Sequence, residues 1–253
     1  MGIIELQNLT KLFRGLRAVD GINISVKKGV VFGFLGPNGA GKTTTIKMMA
    51  GILKPTSGKI IIDGLDLERE PVRVKQKSGF IPDRPFLYEK LTGIEFLRFL
   101  SGLYGMNADS INGRLTGLLE KFNLLDWQNE LIEGYSHGMK QRLVMCGALV
   151  HDPEVLIVDE PMVGLDPKGA RLVKNIFKEE AVKGKTIFMS THSLETAQEV
   201  CSEVAIIQSG IIIAQGSVEE LTKSVDSGGS LESAFLKLTE ETGISHGKLL
   251  HSS

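Results

Sequence analysis

The residues Gly36-Pro37-Asn38-Gly39-Ala40-Gly41-Lys42-Thr43-Thr44 fit the spacing Gly-x-x-x-x-Gly-Lys-Ser/Thr. Glycines at those positions let successive backbone N–H groups turn inward and cradle phosphate oxygens. Lys42 would reach the β- and γ-phosphates of a nucleotide, and the Thr43 hydroxyl would ligate Mg²⁺. Far downstream, Val155-Leu156-Ile157-Val158 is an apolar run that ends in two adjacent carboxylates, Asp159 and Glu160. In that pairing Asp159 serves the metal and Glu160 polarises a water. The alternative for the glycines is a plain tight turn.

Elements on either side favour the phosphate reading. Val30 to Leu35 is an apolar run that leads into the loop, and Thr43 to Ala50 reads as a helix. Phosphates would then rest on a helix N-terminus, where free N–H groups and the helix dipole favour anions. Around this unit strands and helices alternate. Ile3 to Leu9, Ala18 to Val26 and Lys59 to Asp63 read as strands separated by turns, so the opening is strand-rich and partly antiparallel. Gly79 to Pro82 and Thr186 to Ser190 are further strands, and Val204 to Gln208 with Ile211 to Ala214 form a hairpin about Ser209-Gly210. Helices are expected over 91–104, 111–122, 141–150, 168–180, 193–201 and 218–223. The expected fold class is α/β with a largely parallel sheet, joined by an N-terminal antiparallel β part and an α-helical part.

Composition narrows the function classes. At 253 residues and 42% hydrophobic content, the chain can bury a substantial core. A net charge of -1, from 29 basic and 30 acidic residues, argues against nucleic-acid binding driven by bulk charge. Cys146 and Cys201 are isolated, so neither a disulfide framework nor a zinc site is expected, and they fit a reducing cytosol. No apolar run approaches the ~18 residues needed to span a bilayer. The N-terminus lacks a basic region followed by a long apolar core, so a secretory signal is not expected. A membrane role would come through a partner. The segment from Asp226 to Ser230 reads as a linker, 231–238 as a last helix, and the chain from Glu240 as a polar, mobile tail.

With these segments in view the chain resembles the ATP-binding subunit of ABC transporters over roughly residues 3 to 222. Three segments beyond the phosphate loop and acidic strand carry the resemblance. Tyr135-Ser136-His137-Gly138-Met139-Lys140-Gln141-Arg142 is similar to the family's Leu-Ser-Gly-Gly-Gln signature. There Ser136 and Gly138 would open a helix toward the γ-phosphate held by a partner subunit. Tyr135, His137 and Met139 depart from the pattern. His137 either donates a hydrogen bond to phosphate or is a solvated loop residue. Gly164-Leu165-Asp166 resembles the D-loop, which crosses the dimer interface, and Asp166 also suits a helix cap. Ser190-Thr191-His192 follows a strand, and His192 resembles the switch histidine that contacts the γ-phosphate.

Two further positions are compared with the family. Phe13 resembles the aromatic residue that stacks on adenine, its alternative being a core phenylalanine. Asp83 falls where the family usually has a glutamine touching Mg²⁺ and the attacking water; the alternative is a solvated turn residue after Pro82. Phe86, Leu87 and Tyr88 lie where the family receives a membrane subunit, or else they are local core.

The resemblance implies an ATPase using ATP and Mg²⁺, with Glu160 and His192 catalytic. It implies nucleotide contacts from Phe13, residues 36–44, Ser136 and Gly138, and metal contacts from Thr43, Asp83 and Asp159. Residues 1–225 would be the ATPase domain, with the helical part at about 84–150, and 226–253 an appended segment. The implied partners are a membrane permease and a second ATPase subunit, identical or related, with no nucleic acid. The implied location is the cytoplasmic face of the membrane, and exporters are the nearest subtype. The alternative is a soluble family member acting on ribosomes or DNA. Such proteins carry two ATPase domains or a long coiled coil, whereas only 136 − 42 = 94 positions separate Lys42 from Ser136 here, without sustained heptads. A plain P-loop kinase is weakened by the signature-like segment.

Overall fold

The computed structural model describes residues 2–223 and 230–239. Strands β1 (Ile4–Phe13) and β2 (Leu16–Val26) form an antiparallel hairpin. Next come β3 (Val31–Leu35), helix α1 (Lys42–Met49), β4 (Ser57–Ile62), β5 (Leu65–Asp66) and helix α2 (Pro71–Lys77). Strands β1, β2, β4 and β5 make one antiparallel sheet of order β2-β1-β4-β5. The second sheet has the order β10-β9-β3-β8-β7-β6, from β6 (Ser78–Ile81), β7 (Val155–Asp159), β8 (Thr186–Thr191), β9 (Glu203–Gln208) and β10 (Ile211–Ser217). All its neighbouring strands are parallel except β9 and β10. Helices α3 (Gly93–Leu103), α4 (Ala108–Lys121) and α5 (His137–Leu149) fill the stretch between β6 and β7. After β7 come α6 (Pro167–Val182), α7 (Leu194–Val200), α8 (Val218–Lys223) and α9, residues 231–239.

The central strands are buried on both faces, which is why they read as continuous apolar runs. Their two-residue period splits the side chains between two cores. Phe32 and Phe34 of β3, Val155 and Ile157 of β7, and Phe188 of β8 pack toward α1 and the antiparallel sheet. Val31 and Leu35, Leu156 and Val158, and Ile187 and Met189 pack toward the α3–α5 helices, α6 and α7. Phe188 stacks on Phe32 at 5.3 Å and meets Phe34 at 5.4 Å between ring centroids. Each such fully buried aromatic contributes about 1.5–3 kcal/mol.

Several expectations are adjusted. β1 runs four residues past Leu9 because bulges, with Asn8 at φ 49°, interrupt the alternation that would have marked it. Helix α2 was not anticipated: only Val74 is buried, so it carries no apolar stripe, although Pro71 at its first turn was a signal. α5 starts at His137 rather than Gln141 because the Ser136 hydroxyl accepts from Met139 N at 3.3 Å. Ser193 caps α7 as expected, accepting from Thr196 N. The expected last helix is present as α9, with Leu231 and Ala234 fully buried. The expected linker up to residue 229 and the tail from Glu240 lie outside the described residues.

Candidate active site

The phosphate loop lies between the end of β3 and the start of α1, as its sequence context requires. Gly41 has φ 111°, and a Cβ there would stand 2.5 Å from the Ala18 carbonyl oxygen of β2. Both facts demand glycine, and the second wedges the loop against the β1–β2 hairpin. The turn between β9 and β10 braces it from the other side: Gly210 N donates to Ala40 O at 3.0 Å, and Asp20 N donates to Gly210 O at 2.8 Å. Gly41 brings no side chain to cap α1, so the first-turn amides of the helix face the loop.

Lys42 is buried, and its Nζ donates to the carbonyl oxygens of Gly36 (2.7 Å) and Pro37 (3.1 Å). It also lies 3.9 Å from Glu160 Oε1. Burial pulls the ammonium below its ordinary value, while Glu160 and Asp159 oppose that shift.

The parallel register sets the rest. Asp159 at the end of β7 pairs with Ser190 of β8. Ser190 Oγ donates to Asp159 Oδ1 at 2.5 Å, and Thr43 Oγ1 donates to the same oxygen at 3.4 Å. Asp159 is 1% exposed. Burial pushes its carboxyl above the usual carboxylate range; the Ser190 and Thr43 hydroxyls resist, whereas Asp83 and Glu160 add to the rise. Glu160 leaves the strand at φ 48°, a left-handed conformation costly for a non-glycine residue. Its N–H is shared by the carbonyl and hydroxyl oxygens of Ser190, both at 3.2 Å. Its side chain meets His192, with Nδ1 2.9 Å from Oε2. Lys42, Thr43, Asp159, Glu160 and His192 are therefore gathered at the C-terminal ends of three adjacent parallel strands, where α/β sheets bind ligands.

Ser190 is the residue that sequence reasoning missed as a participant. It touches both residues of the pair, Asp159 at its carboxylate and Glu160 at its backbone N–H, and its place at the end of a strand parallel to the acidic one was the available signal.

The other candidates sit around this cluster. Phe13 ends β1 beside the Arg14-Gly15 turn and is 43% exposed, with Lys11 Nζ 5.1 Å from its ring centroid; the core alternative does not hold. Asp83 is exposed, close enough for its charge to raise the Asp159 carboxyl. Ser136 and Gly138 form a second group with Gly164 and Leu165: a Cβ on Gly138 would lie 3.7 Å from both Gly164 O and Leu165 Cδ2. Asp166 caps α6 by accepting from Gly169 N at 2.9 Å. Tyr135, in place of the usual leucine, is buried and donates from its hydroxyl to Trp127 O at 2.6 Å. Of the three residues after Pro85, Phe86 and Tyr88 are exposed, whereas Leu87 packs against the core.

Among the described residues no group of three or more His, Cys, Asp and Glu side chains is placed to hold a metal alone. The donors present are hard oxygens: the Thr43 hydroxyl and the Asp159 carboxylate, with Asp83 nearby. That set fits Mg²⁺ shared with phosphate oxygens, since Mg²⁺ is usually held by one or two carboxylates plus the substrate. Among the described residues no helix is long and apolar enough to cross a membrane.

The chain is similar to known proteins throughout. A family model described as ABC transporter matches residues 19–163. The Bacillus subtilis ABC transporter ATP-binding protein NatA is 37% identical over 210 residues, covering 83% of this chain and 85% of that protein. A probable multidrug ABC transporter ATP-binding protein of Escherichia coli, YbhF, is 35% identical over 96% of this chain, which spans 43% of its length. A solved structure of an ATP-binding subunit of an ABC transporter superposes with a TM-score of 0.87 at 32% identity, covering 94% of this chain and 99% of that one. Phosphate loop, acidic strand end and matched length agree: the chain belongs to the ABC transporter family as an ATP-binding subunit, in a family that hydrolyses ATP to power transport.

Proposed function

We propose that this subunit hydrolyses ATP with Mg²⁺ as one of two ATPase subunits that close head to tail, and that it drives a separate membrane permease of export type. The observation that carries the proposal is the convergence of Lys42, Thr43, Asp159, Glu160 and His192 at the ends of adjacent strands. Lys42, already buried against two loop carbonyls, exchanges those partners for β- and γ-phosphate oxygens. Loop amides and the α1 N-terminus stabilise the same charge. Thr43 and Asp159 would hold Mg²⁺, with Asp83 alongside; when bound, the ion neutralises charge on the phosphates. Glu160 takes the proton from the water that attacks the γ-phosphorus, and His192 orients Glu160 through the Nδ1–Oε2 contact and faces the γ-phosphate. Phe13, on an exposed strand end, offers a π-face to the base. Ser136 and Gly138 present a helix start to the nucleotide of the partner subunit. Residues 1–225 would act as the ATPase domain, with its helical part at about 84–150 receiving the permease, and 226–253 as an appended segment. The subunit would work at the cytoplasmic face, held there by the permease and without nucleic acid. The description of the Escherichia coli relative as a multidrug transporter component supports the export subtype. Lys42→Ala tests the reading: it should abolish tight ATP binding and turnover, and ordinary turnover in that variant would refute the phosphate-loop assignment.

A further inference from the structure

His137 departs from the family pattern, where a glycine is usual, and its ring has a specific neighbour. A Cβ built on Gly164 would lie 2.1 Å from His137 Cδ2 and 2.2 Å from Nε2, so the imidazole covers the Cα of Gly164 in van der Waals contact. Gly164 has φ 78°, a left-handed turn that glycine adopts freely and that leaves its side-chain face open to the ring. Leu165 continues the contact: its Cδ2 would lie 3.7 Å from a Cβ on Gly138 and 3.7 Å from one on Gly169. The 163–166 loop is thus laid across the first turn of α5.

The same loop starts on the acidic pair. Val163 N donates to the Glu160 carbonyl at 3.2 Å, and Leu165 N donates to Met162 O at 3.3 Å. Glu160 in turn holds His192. Contacts therefore run from His137 through Gly164 and Val163 to the backbone of the carboxylate that works on this subunit's own nucleotide.

We propose that His137 is a positioning residue that clasps the 163–166 loop of its own subunit to the Ser136–Gly138 helix start. The surface offered to the partner's nucleotide and the Glu160 turn of its own site are then held in one arrangement. A glycine at position 137 has no ring to make this clasp, so the departure gives this chain a stiffer joint between the two loops. The two-subunit consequence rests on the function proposed above; the clasp itself belongs to the single chain. Spatial continuity alone does not establish coupling, so both halves need a measurement.

Hydrogen–deuterium exchange of a peptide spanning residues 161–168, in the nucleotide-free chain, tests the clasp. His137→Ala keeps a good helix former at the start of α5 while removing the ring, and His137→Phe restores a flat ring without nitrogen. Exchange at Val163 and Leu165 should accelerate about 3- to 10-fold in His137→Ala, as expected for one lost side-chain contact, and return close to the parental rate in His137→Phe. Parental exchange in His137→Ala, or His137→Phe as fast as His137→Ala, would overturn the clasp. The coupling is then read in a Glu160→Gln background by size exclusion with Mg-ATP. His137→Ala should raise the ATP concentration for half-maximal dimer formation by a similar factor, with ATP affinity of the monomer unchanged and His137→Phe restoring the midpoint. An unmoved midpoint beside faster exchange would overturn the coupling. A Glu160→Gln chain that never dimerises would instead overturn the two-subunit function, leaving the exchange result to judge the clasp.

Discussion

The Glu160 carboxyl meets the His192 imidazole at 2.9 Å while its backbone N–H is held by both oxygens of Ser190. A carboxylate fixed at both ends, on a left-handed residue at a strand terminus, is pre-set in orientation before substrate arrives. Glu160→Gln keeps the size and the hydrogen bonds but removes the base. ATP binding should persist, and hydrolysis should fall by ~10²–10⁴. Size exclusion with Mg-ATP should show a stable dimer for the variant and mostly monomer for the parent chain. Hydrolysis at the parental rate would remove Glu160 from the mechanism.

Ser190 stands one step behind the residues proposed to hold Mg²⁺. Its hydroxyl donates to the Asp159 oxygen that also receives Thr43, so Ser190→Ala leaves a buried carboxylate with one donor fewer. Partners behind a ligand typically govern metal affinity by ~10–100-fold. Titration of ATPase activity against Mg²⁺ should show a half-maximal concentration raised by about that factor, with binding of metal-free ATP little changed. Asp83→Asn should raise the same midpoint by removing a negative charge beside the proposed Mg²⁺ site, an effect that must outweigh the easier ionisation of Asp159; an unchanged midpoint would return Asp83 to a solvated turn.

A third expectation concerns pH and stability. The His151 ring stacks on Tyr104 at 3.7 Å and 6° between planes, with Nε2 3.1 Å from the Ser78 carbonyl oxygen. Burial pulls its pKa below the ordinary 6.5; Arg114 and Lys185 add to that, against the Ser78 carbonyl and Asp152. The folded chain therefore resists protonation at His151, and the unfolded chain takes up the proton first. This contribution to stability is complete above pH 6.5 and drains away as pH falls through 6.5 toward the folded value. His151→Phe keeps the stack and does not titrate. Thermal unfolding followed from about pH 7 to pH 5 should show a flatter decline for the variant, at a cost near neutrality of about 1 kcal/mol for the lost hydrogen bond. Parallel declines would assign the pH dependence to other groups.

What the sequence made legible was mostly local. The phosphate loop, the caps at Ser193 and Asp166, and the buried strand ending in Asp159-Glu160 are each written in a few consecutive residues. The remaining features depend on register and packing. Ser190 meets Asp159 only because β7 and β8 are parallel and in line, and His137 meets Gly164 only because α5 begins beside the loop that follows β7. Bulges hid the length of β1, and a single buried side chain hid α2. The tyrosine at 135 reads as a departure in sequence, yet its hydroxyl finds the Trp127 carbonyl and its ring fills the core.

The last prediction separates docking from folding at the segment after Pro85. Phe86 is 89% exposed and Tyr88 56% exposed, the latter edge-on to Phe99 at 5.3 Å, whereas Leu87 packs into the core. Phe86 also borders an apolar cleft of about 210 Å³ walled by Phe80, Phe96, Leu100 and Tyr104. An aromatic side chain this exposed contributes little to the fold, so Phe86→Glu should leave the thermal unfolding of the isolated chain within about ±0.5 kcal/mol of the parent. Leu87→Glu places a charge against the core and should cost roughly 0.5–3 kcal/mol. If the cleft receives the permease, Phe86→Glu and Tyr88→Glu should weaken co-purification with the membrane subunit and reduce transport, while ATP binding by the isolated chain stays intact. Full association by both variants would move the permease contact elsewhere on the helical part, and a loss of stability in Phe86→Glu equal to that of Leu87→Glu would show that the segment serves the fold alone.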